Sequence, residues 1–515
     1  MSIFTDIQLK KMPSSTFDLS HQVKFSAKIG QLIPCMIMET LPGDVFSSNT
    51  AQLVRTAPLI APIMHQVSVY THFFYVPNRL LWDNWEDFIS GGEDGLQEPV
   101  FPTVDLGIFN NVEGSLMDYL GIPTDVATQE VNALPLAAYQ LIYNEYYRDQ
   151  NLIDERNYKL VDGDNSTEKD LLDLHNRAWQ HDYFTSALPW TQKGPIATIP
   201  LGTEAPIVYD NDRGNTVVID NATGAAYQPT TNPAMLVNNL GNIVGEDAPN
   251  PQLDLAVGFN HYADLSQATA NTIIDLRNAF RLQEWLERNA RAGSRYFEFI
   301  RAHFNVDVGD ARVNRPEFLG GGTTPISFSE VLQTSGTGQT GSTTPQGNMA
   351  GHGISLGESS SWKYRCKEHG FIIGIMSIMP KTSYQDGMAR FFHKKDKFDY
   401  YFHAFAHIGE QPIYNREIYQ QNNSQDEEIF GYTPRYAEYK YINDRVAGKF
   451  RTSLDVWQGG RKFSSLPLLN QEFIECESSE MDRLFAVQGE EQLYIQCYHQ
   501  VRARRHMPYF STPKI

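Results

Sequence analysis

The sequence predicts a mainly β protein, an eight-stranded antiparallel jelly roll with long inserted loops that contain several α-helices. Three observations predict it. Strand-like segments crowd the two ends of the chain, mainly within residues 20–85 and 362–505. Aromatic residues reach 12%, led by 29 Phe and 26 Tyr, beside abundant Asn, Thr, Gly and Pro, a mixture of strand formers and turn formers. Residues 86–361 change character repeatedly and read as long insertions with helices; a jelly roll accepts these because its connections leave at the ends of two packed sheets. With 41% hydrophobic residues, the 515-residue chain can fill one large core, so residues 1–515 read as a single domain.

Taken in order, Lys24–Ile33 alternates, with Phe25, Ala27 and Ile29 on one face. Val67–Val76 is a run of β-branched and aromatic residues that ends at Pro77-Asn78. Leu134–Arg148 spaces Leu134, Ala138, Leu141 and Ile142 as a helix does, and a second helix is expected at Lys169–Trp179. Residues 194–258 are loaded with Gly, Asn, Thr and Pro around short strand-like pieces such as Thr216–Ile219, and read as a surface-exposed insertion. Residues 264–303 hold the strongest helix pattern, with Ile273, Leu276, Phe280 and Leu286 at helical intervals and Asp264 and Gln267 placed for a capping box. After the polar tracts Gly320–Gly322 and Thr334–Gly351, strands return at Gly370–Pro380, Phe398–Ile408, Tyr432–Tyr441 and Gln492–Val501. No repeat period is visible, which argues against a solenoid or propeller.

Several function classes fall on a missing residue. The longest apolar run, Phe371–Met379, suits a buried strand and is too short to span a bilayer. Met1–Ile7 lacks a basic segment followed by an apolar one, so no secretory signal is expected. The cysteines, Cys35, Cys366, Cys476 and Cys497, are scattered without metal spacing and read as reduced thiols. In such a chain the sequons at Asn165, Asn221 and Asn422 should stay unmodified. Gly336-x4-Gly341-Ser342-Thr343 has the spacing of a phosphate loop, but Ser342 stands where the lysine belongs. His403 and His407 are four apart, yet Phe398–Ile408 alternates as a strand and no glutamate completes a zinc motif. There is no Gly-x-Ser-x-Gly elbow. The expectation is a protein that is not an enzyme, with no catalytic residue, cofactor or metal. The competing class is a β-sandwich that binds or hydrolyses carbohydrate, with aromatic strands to stack sugars and paired carboxylates to cleave them.

Charge is segregated. The formal net charge of −19 excludes a general nucleic-acid binder. Acid collects at Asp426–Glu428 and Glu475–Asp482, whereas Gln492–Ile515 contains no Asp or Glu and carries Arg502, Arg504, Arg505 and Lys514. These four are the candidate contacts to nucleic-acid phosphates, as a basic tail, with Tyr494, Tyr498, Tyr509 and Phe510 nearby to stack bases. Arg390, Lys394, Lys395 and Lys397 form a second basic cluster.

Four segments carry a resemblance to a known family. They are Phe73–Trp82 followed by Asn84-Trp85, then Ile142–Leu152, then His303-Phe304 through Asp310–Gly321, and Gln346–Ile354 leading to Trp362. In this order they resemble the major capsid proteins of microviruses, and are most similar to the gokushovirus branch. The resemblance implies a capsid-type jelly roll, sixty copies of which form a T=1 icosahedral shell around circular single-stranded DNA, with very long insertions between strands. It implies partners too: other copies of the chain, the packaged genome, other virion proteins and a host-surface receptor. It implies no membrane insertion, and places the protein in the virion after assembly in the bacterial cytoplasm. In that branch one insertion projects near the three-fold axes to meet the host, and residues 194–258 are similar to it in position and composition. A shell subunit binds itself through aromatic and arginine anchors, and Tyr143, Tyr146, Tyr147 and Arg148 are the candidates for that role.

Overall fold

The computed structural model describes residues 13–106, 112–124, 129–167, 169–195, 273–292, 295–307, 309–334, 347–358 and 361–510, and six three-residue strands within 196–272. Contacts divide the chain into two compact units, Met1–Thr191 with Asn289–Ile515, and Gln192–Arg288.

The first unit is built on eleven strands: β1 (Ser15–Asp18), β2 (His21–Ala27), β3 (Ile33–Thr40), β4 (Val45–Thr56), β5 (Val67–Pro77), β6 (Glu317–Pro325), β7 (Ser327–Leu332), β8 (Met349–Glu358), β9 (Trp362–Arg365), β10 (Gly370–Pro380) and β11 (Leu493–Arg505). They form two antiparallel sheets. In sheet one, β1 and β2 lie end to end along β11, followed by β4, then β8 and β9 end to end, then β7. Sheet two runs β6-β5-β10-β3. With the short β1, β7 and β9 set aside, successive strands switch sheets at every step except β5 to β6, which is the connectivity expected of a jelly roll.

Side-chain pattern explains which strands sit where. β11 alternates buried with mostly exposed positions, and β4 alternates buried with mostly half-buried ones, as strands with one open face do. β10 is buried at every position, and its sequence is correspondingly apolar without alternation. Between the sheets Phe46, Phe73, Tyr75, Ile372 and Val501 form one cluster, and Val54, Val69, Met376 and Ile495 another. The far side of sheet two is covered by helix α1 (Leu134–Ile142), which packs against Phe74, Val76, Ile373 and Ile375. Truncating a ring as enclosed as Phe73 would cost about 3–5 kcal/mol. All four cysteines are free and buried.

Several segments differ from the sequence reading. Phe398–Ile408 is not a strand; 3₁₀ turns occupy Lys397–Asp399 and His403–Phe405. The Asp399 carboxylate accepts from the backbone N–H of Lys395 and Asp396, a local pairing that competes with a ladder. The strand near Tyr432 spans Ile429–Pro434 and ends where Tyr436 adopts a φ of 65°. Lys169–Trp179 holds one 3₁₀ turn, Lys169–Leu172. Beyond it the Arg177 N–H donates to Gly30 and its carbonyl accepts from Cys476, so tertiary pairing overrides helix propensity. The long helical pattern becomes two helices, α2 (Ile273–Ala292) and α3 (Tyr296–Phe304). Asp264, Gln267 and Gly336–Thr343 lie outside the described residues.

In the second unit, Ile207–Tyr209 pairs with His261–Ala263, Val218–Asp220 with Leu253–Leu255, and Met235–Val237 with Ile243–Gly245. The pairs are nested, so the chain goes out and returns along itself.

Candidate nucleic-acid interface

The C-terminal arginines belong to strand β11 and not to a tail. Its alternation turns Ile495, Cys497, His499, Val501 and Ala503 inward, and Tyr494, Tyr498, Gln500, Arg502 and Arg504 outward. Register then decides what else shares the outer face. Arg502 lies opposite Ser47 on one side and Asp18 on the other; Arg504 lies opposite Val45 and Thr16. Ser47 and Val45 are in turn opposite Lys363 and Arg365 of β9. Tyr494 is opposite Arg55, and Gln496 is opposite Lys24. Neighbouring strands are about 4.8 Å apart, so these side chains form one field.

Exposed on that face are the cations Lys24, Arg55, Lys363, Arg365, Arg502 and Arg504; the carboxylates sharing it are Asp18 and Glu358. The Asp18 carboxylate accepts from Ser20 Oγ at 2.5 Å and from Ser20 N at 3.0 Å. Those hydrogen bonds hold its pKa below the usual range, with Arg502 a minor contributor. Arg504 donates to Ser14 Oγ at 3.1 Å, and Arg502 makes no ion pair among the described residues. Tyr494 and Tyr498 stand exposed, and Tyr498 borders a hollow of about 430 Å³ with Leu53, Leu356 and Gln496. Beneath the face, His499 is fully buried between Thr50 Oγ1 at 2.9 Å and the Cys35 carbonyl at 2.8 Å. Burial pushes its pKa down to about 4, so the underlying layer is neutral at pH 7.

Of the sequence candidates, Arg502 and Arg504 share this face with Tyr494 and Tyr498. Arg505 is engaged inward: its Nε lies 3.1 Å from Asp44 Oδ2 and its Nη2 donates to the Glu39 carbonyl at 2.9 Å. Tyr509 stacks on Phe17, whose side chain points to the other side of β1. Lys514 lies outside the described residues. Lys24, Arg55, Lys363 and Arg365 escaped the sequence reading; alternation around each was the available signal, but only strand pairing joins them to Arg502.

The four anchor candidates make their contacts within the chain. Tyr143 and Tyr147 are buried. Tyr143 Oη donates to Glu475 Oε1 at 3.1 Å, and Tyr147 Oη lies 2.7 Å from His72 Nδ1. Tyr146 Oη donates to the Pro316 carbonyl at 2.5 Å, and Arg148 Nη1 to that of Ile153 at 2.8 Å. In the second basic cluster Arg390 and Lys394 pair with Glu417 and Glu438, while Lys395 and Lys397 are exposed.

Chemically, this face can bind a polyanion and stack flat rings. Among the described residues no group of three or more His, Cys, Asp or Glu is arranged to hold a metal, and no helix is long and apolar enough to cross a membrane. Two antiparallel sheets in this strand order are consistent with the jelly-roll class, which includes viral capsid subunits, lectins and cupins. Within that class, the chain belongs to the capsid protein (F protein) family, whose model matches residues 5–515. It is 35% identical to capsid protein VP1 of Chlamydia phage 1, over 99% of this chain and 97% of the relative. It is 39% identical to capsid protein VP1 of Bdellovibrio phage phiMH2K, over 92% and 90%. It is 32% identical to capsid protein VP1 of Spiroplasma virus 4, over 98% and 95%. The protein is a structural major capsid protein of a microvirus, a virion component that assembles with copies of itself.

Proposed function

We propose that sixty copies close a T=1 icosahedral shell around circular single-stranded DNA, assembled in the bacterial cytoplasm, with the outer face of sheet one turned toward the genome. The observation that carries the genome contact is the gathering of six exposed cations and two exposed tyrosines on one sheet face of a chain whose net charge is −19. Phosphates would meet the cations and bases the rings, a sequence-independent and salt-sensitive mode. Other virion proteins and a host receptor complete the reading, with residues 194–258 as the receptor contact; the ladders nested there support a separate excursion that returns along itself.

Particles assembled from Arg502→Gln/Arg504→Gln protein test the face. They should form in normal yield yet retain less DNA, and the log–log salt slope of single-strand binding should fall by ~0.7 for each phosphate that is no longer neutralised. Unchanged DNA content and salt slope would overturn the assignment.

A further inference from the structure

The chain carries two complementary surfaces that its own topology keeps apart. The first follows β10. Phe392, Phe398, Tyr400, Phe402, Tyr439 and Ile442 are all exposed, Ile442 at 87%. Contacts join four of them in two groups: Phe405 contacts both Phe398 and Phe402, and the Lys394 ammonium lies over the Tyr400 ring at 5.6 Å and the Tyr439 ring at 4.0 Å. Exposed Lys395, Lys397 and Lys440 rim it together with exposed Asp396 and Asp399; the Asp399 carboxylate is turned onto the backbone N–H groups of Lys395 and Asp396, and none of the three lysines forms an ion pair among the described residues. So many exposed rings together mark an interaction site on a soluble protein.

The second follows β5. Between Arg79 and Arg148 the sequence holds twelve carboxylates and no lysine or arginine. Within it, Glu86, Asp87, Glu93, Asp94 and Glu98 surround the exposed apolar residues Phe88, Ile89, Leu96 and Val100, with Leu96 84% exposed. This is the converse arrangement: apolar knobs in an acidic rim, against rings in a lysine rim.

The two cannot meet within one chain through their strands. β5 and β10 pair antiparallel, with Pro77 opposite Gly370 and Val67 opposite Pro380. The acidic segment therefore leaves sheet two at one end, where Trp85 packs on His369 at 5.8 Å. The aromatic segment leaves at the other, tied down where Lys381 pairs with Asp444 at 2.7 Å. Eleven strand residues separate the ends, about 35 Å.

We propose that the aromatic–lysine surface of one copy seats the acidic segment Glu86–Val100 of a second copy, a head-to-tail contact able to repeat around a ring. A contact between different patches closes into a ring when its rotation permits, as a closed shell requires. Apolar burial supplies the attraction, and the opposed rims set orientation and reject like-charged docking. The inference rests on the self-assembly reading and adds the residues through which it acts.

Two variants test it in the full-length protein. Lys395→Glu/Lys397→Glu should raise the concentration needed for assembly at least ~tenfold, because like charges then face each other. Adding Glu93→Lys/Asp94→Lys should restore it. Independently, Leu96→Cys/Phe402→Cys treated with a short bis-maleimide should give a covalent ladder on a denaturing gel, and either single variant none beyond background; the four native thiols are buried. If the wild type assembles while the charge reversals assemble normally and no ladder forms, the interface is overturned and the shell reading stands. If the wild type forms no oligomer, both fall.

Discussion

Arg505 and Asp44 form an ion pair at 3.1 Å across the edge of the sandwich, with the Asp44 carboxylate almost wholly enclosed. Asp44 Oδ2 also accepts from the Leu41 N–H at 3.1 Å, so the pair fixes the turn between β3 and β4 against the end of β11. Arg505→Ala would leave a buried carboxylate without its cation and should destabilise the unassembled protein by about 2–3 kcal/mol. Arg502→Ala and Arg504→Ala, on the exposed face, should stay within ~0.5 kcal/mol. Urea unfolding separates the cases; equal losses in all three would contradict the division of roles.

Acid should weaken the fold. Burial pushes the pKa of His175 down to about 3 and that of His499 to about 4, from an ordinary value of 6.5. The unfolded chain thus binds more protons than the folded one between those values. The contribution of these two histidines is complete above pH 6.5 and falls as pH drops below it, approaching ~1.4 kcal/mol per pH unit for each. Unfolding midpoints at pH 7 and 5.5 check this. His499→Gln should remove its share of the slope, and an unchanged slope in that variant would count against the assignment.

Gly30 should tolerate no side chain. Its φ is 91°, and a Cβ there would run into the carbonyl oxygen of Cys476. Gly30 also accepts from Arg177 N at 2.7 Å, which ties the segment after β2 to the insertion. Gly30→Ala should cost on the order of 3 kcal/mol, part from left-handed strain and part from overlap. A thermal melt within about two degrees of wild type would refute it.

Much of the sandwich is legible in the sequence because its strands obey local rules. Val67–Val76 and Gly370–Pro380 announce themselves through β-branched and apolar runs, and the structure places β5 and β10 there. Phe398–Ile408 misleads for a physical reason: alternation of aromatic residues demands a strand only if one face is buried and a partner is present. Here the rings on both parities are exposed and two aspartates organise the backbone locally. The candidate site divides the same way. Arg502 and Arg504 are visible in sequence as a basic run, whereas their union with Lys363 and Arg55 depends on β4, whose register no local pattern encodes. Arg505 differs in role from its neighbours because one residue's step along a strand reverses the side chain's direction.

Strand β11 lies between β4 and the β1–β2 pair, yet it is made hundreds of residues after them. While the ribosome is still working through the insertions, the hydrogen-bonding edges of β2 and β4 that it will occupy stay open. Pairing of Arg55 with Tyr494 must await almost the whole message. A chain broken off before Leu493 would lack an interior strand of the sheet and could not shield those edges. Chain integrity is thereby written into the geometry: a prematurely terminated subunit is left with an unfinished sheet whose open edges invite pairing with other chains.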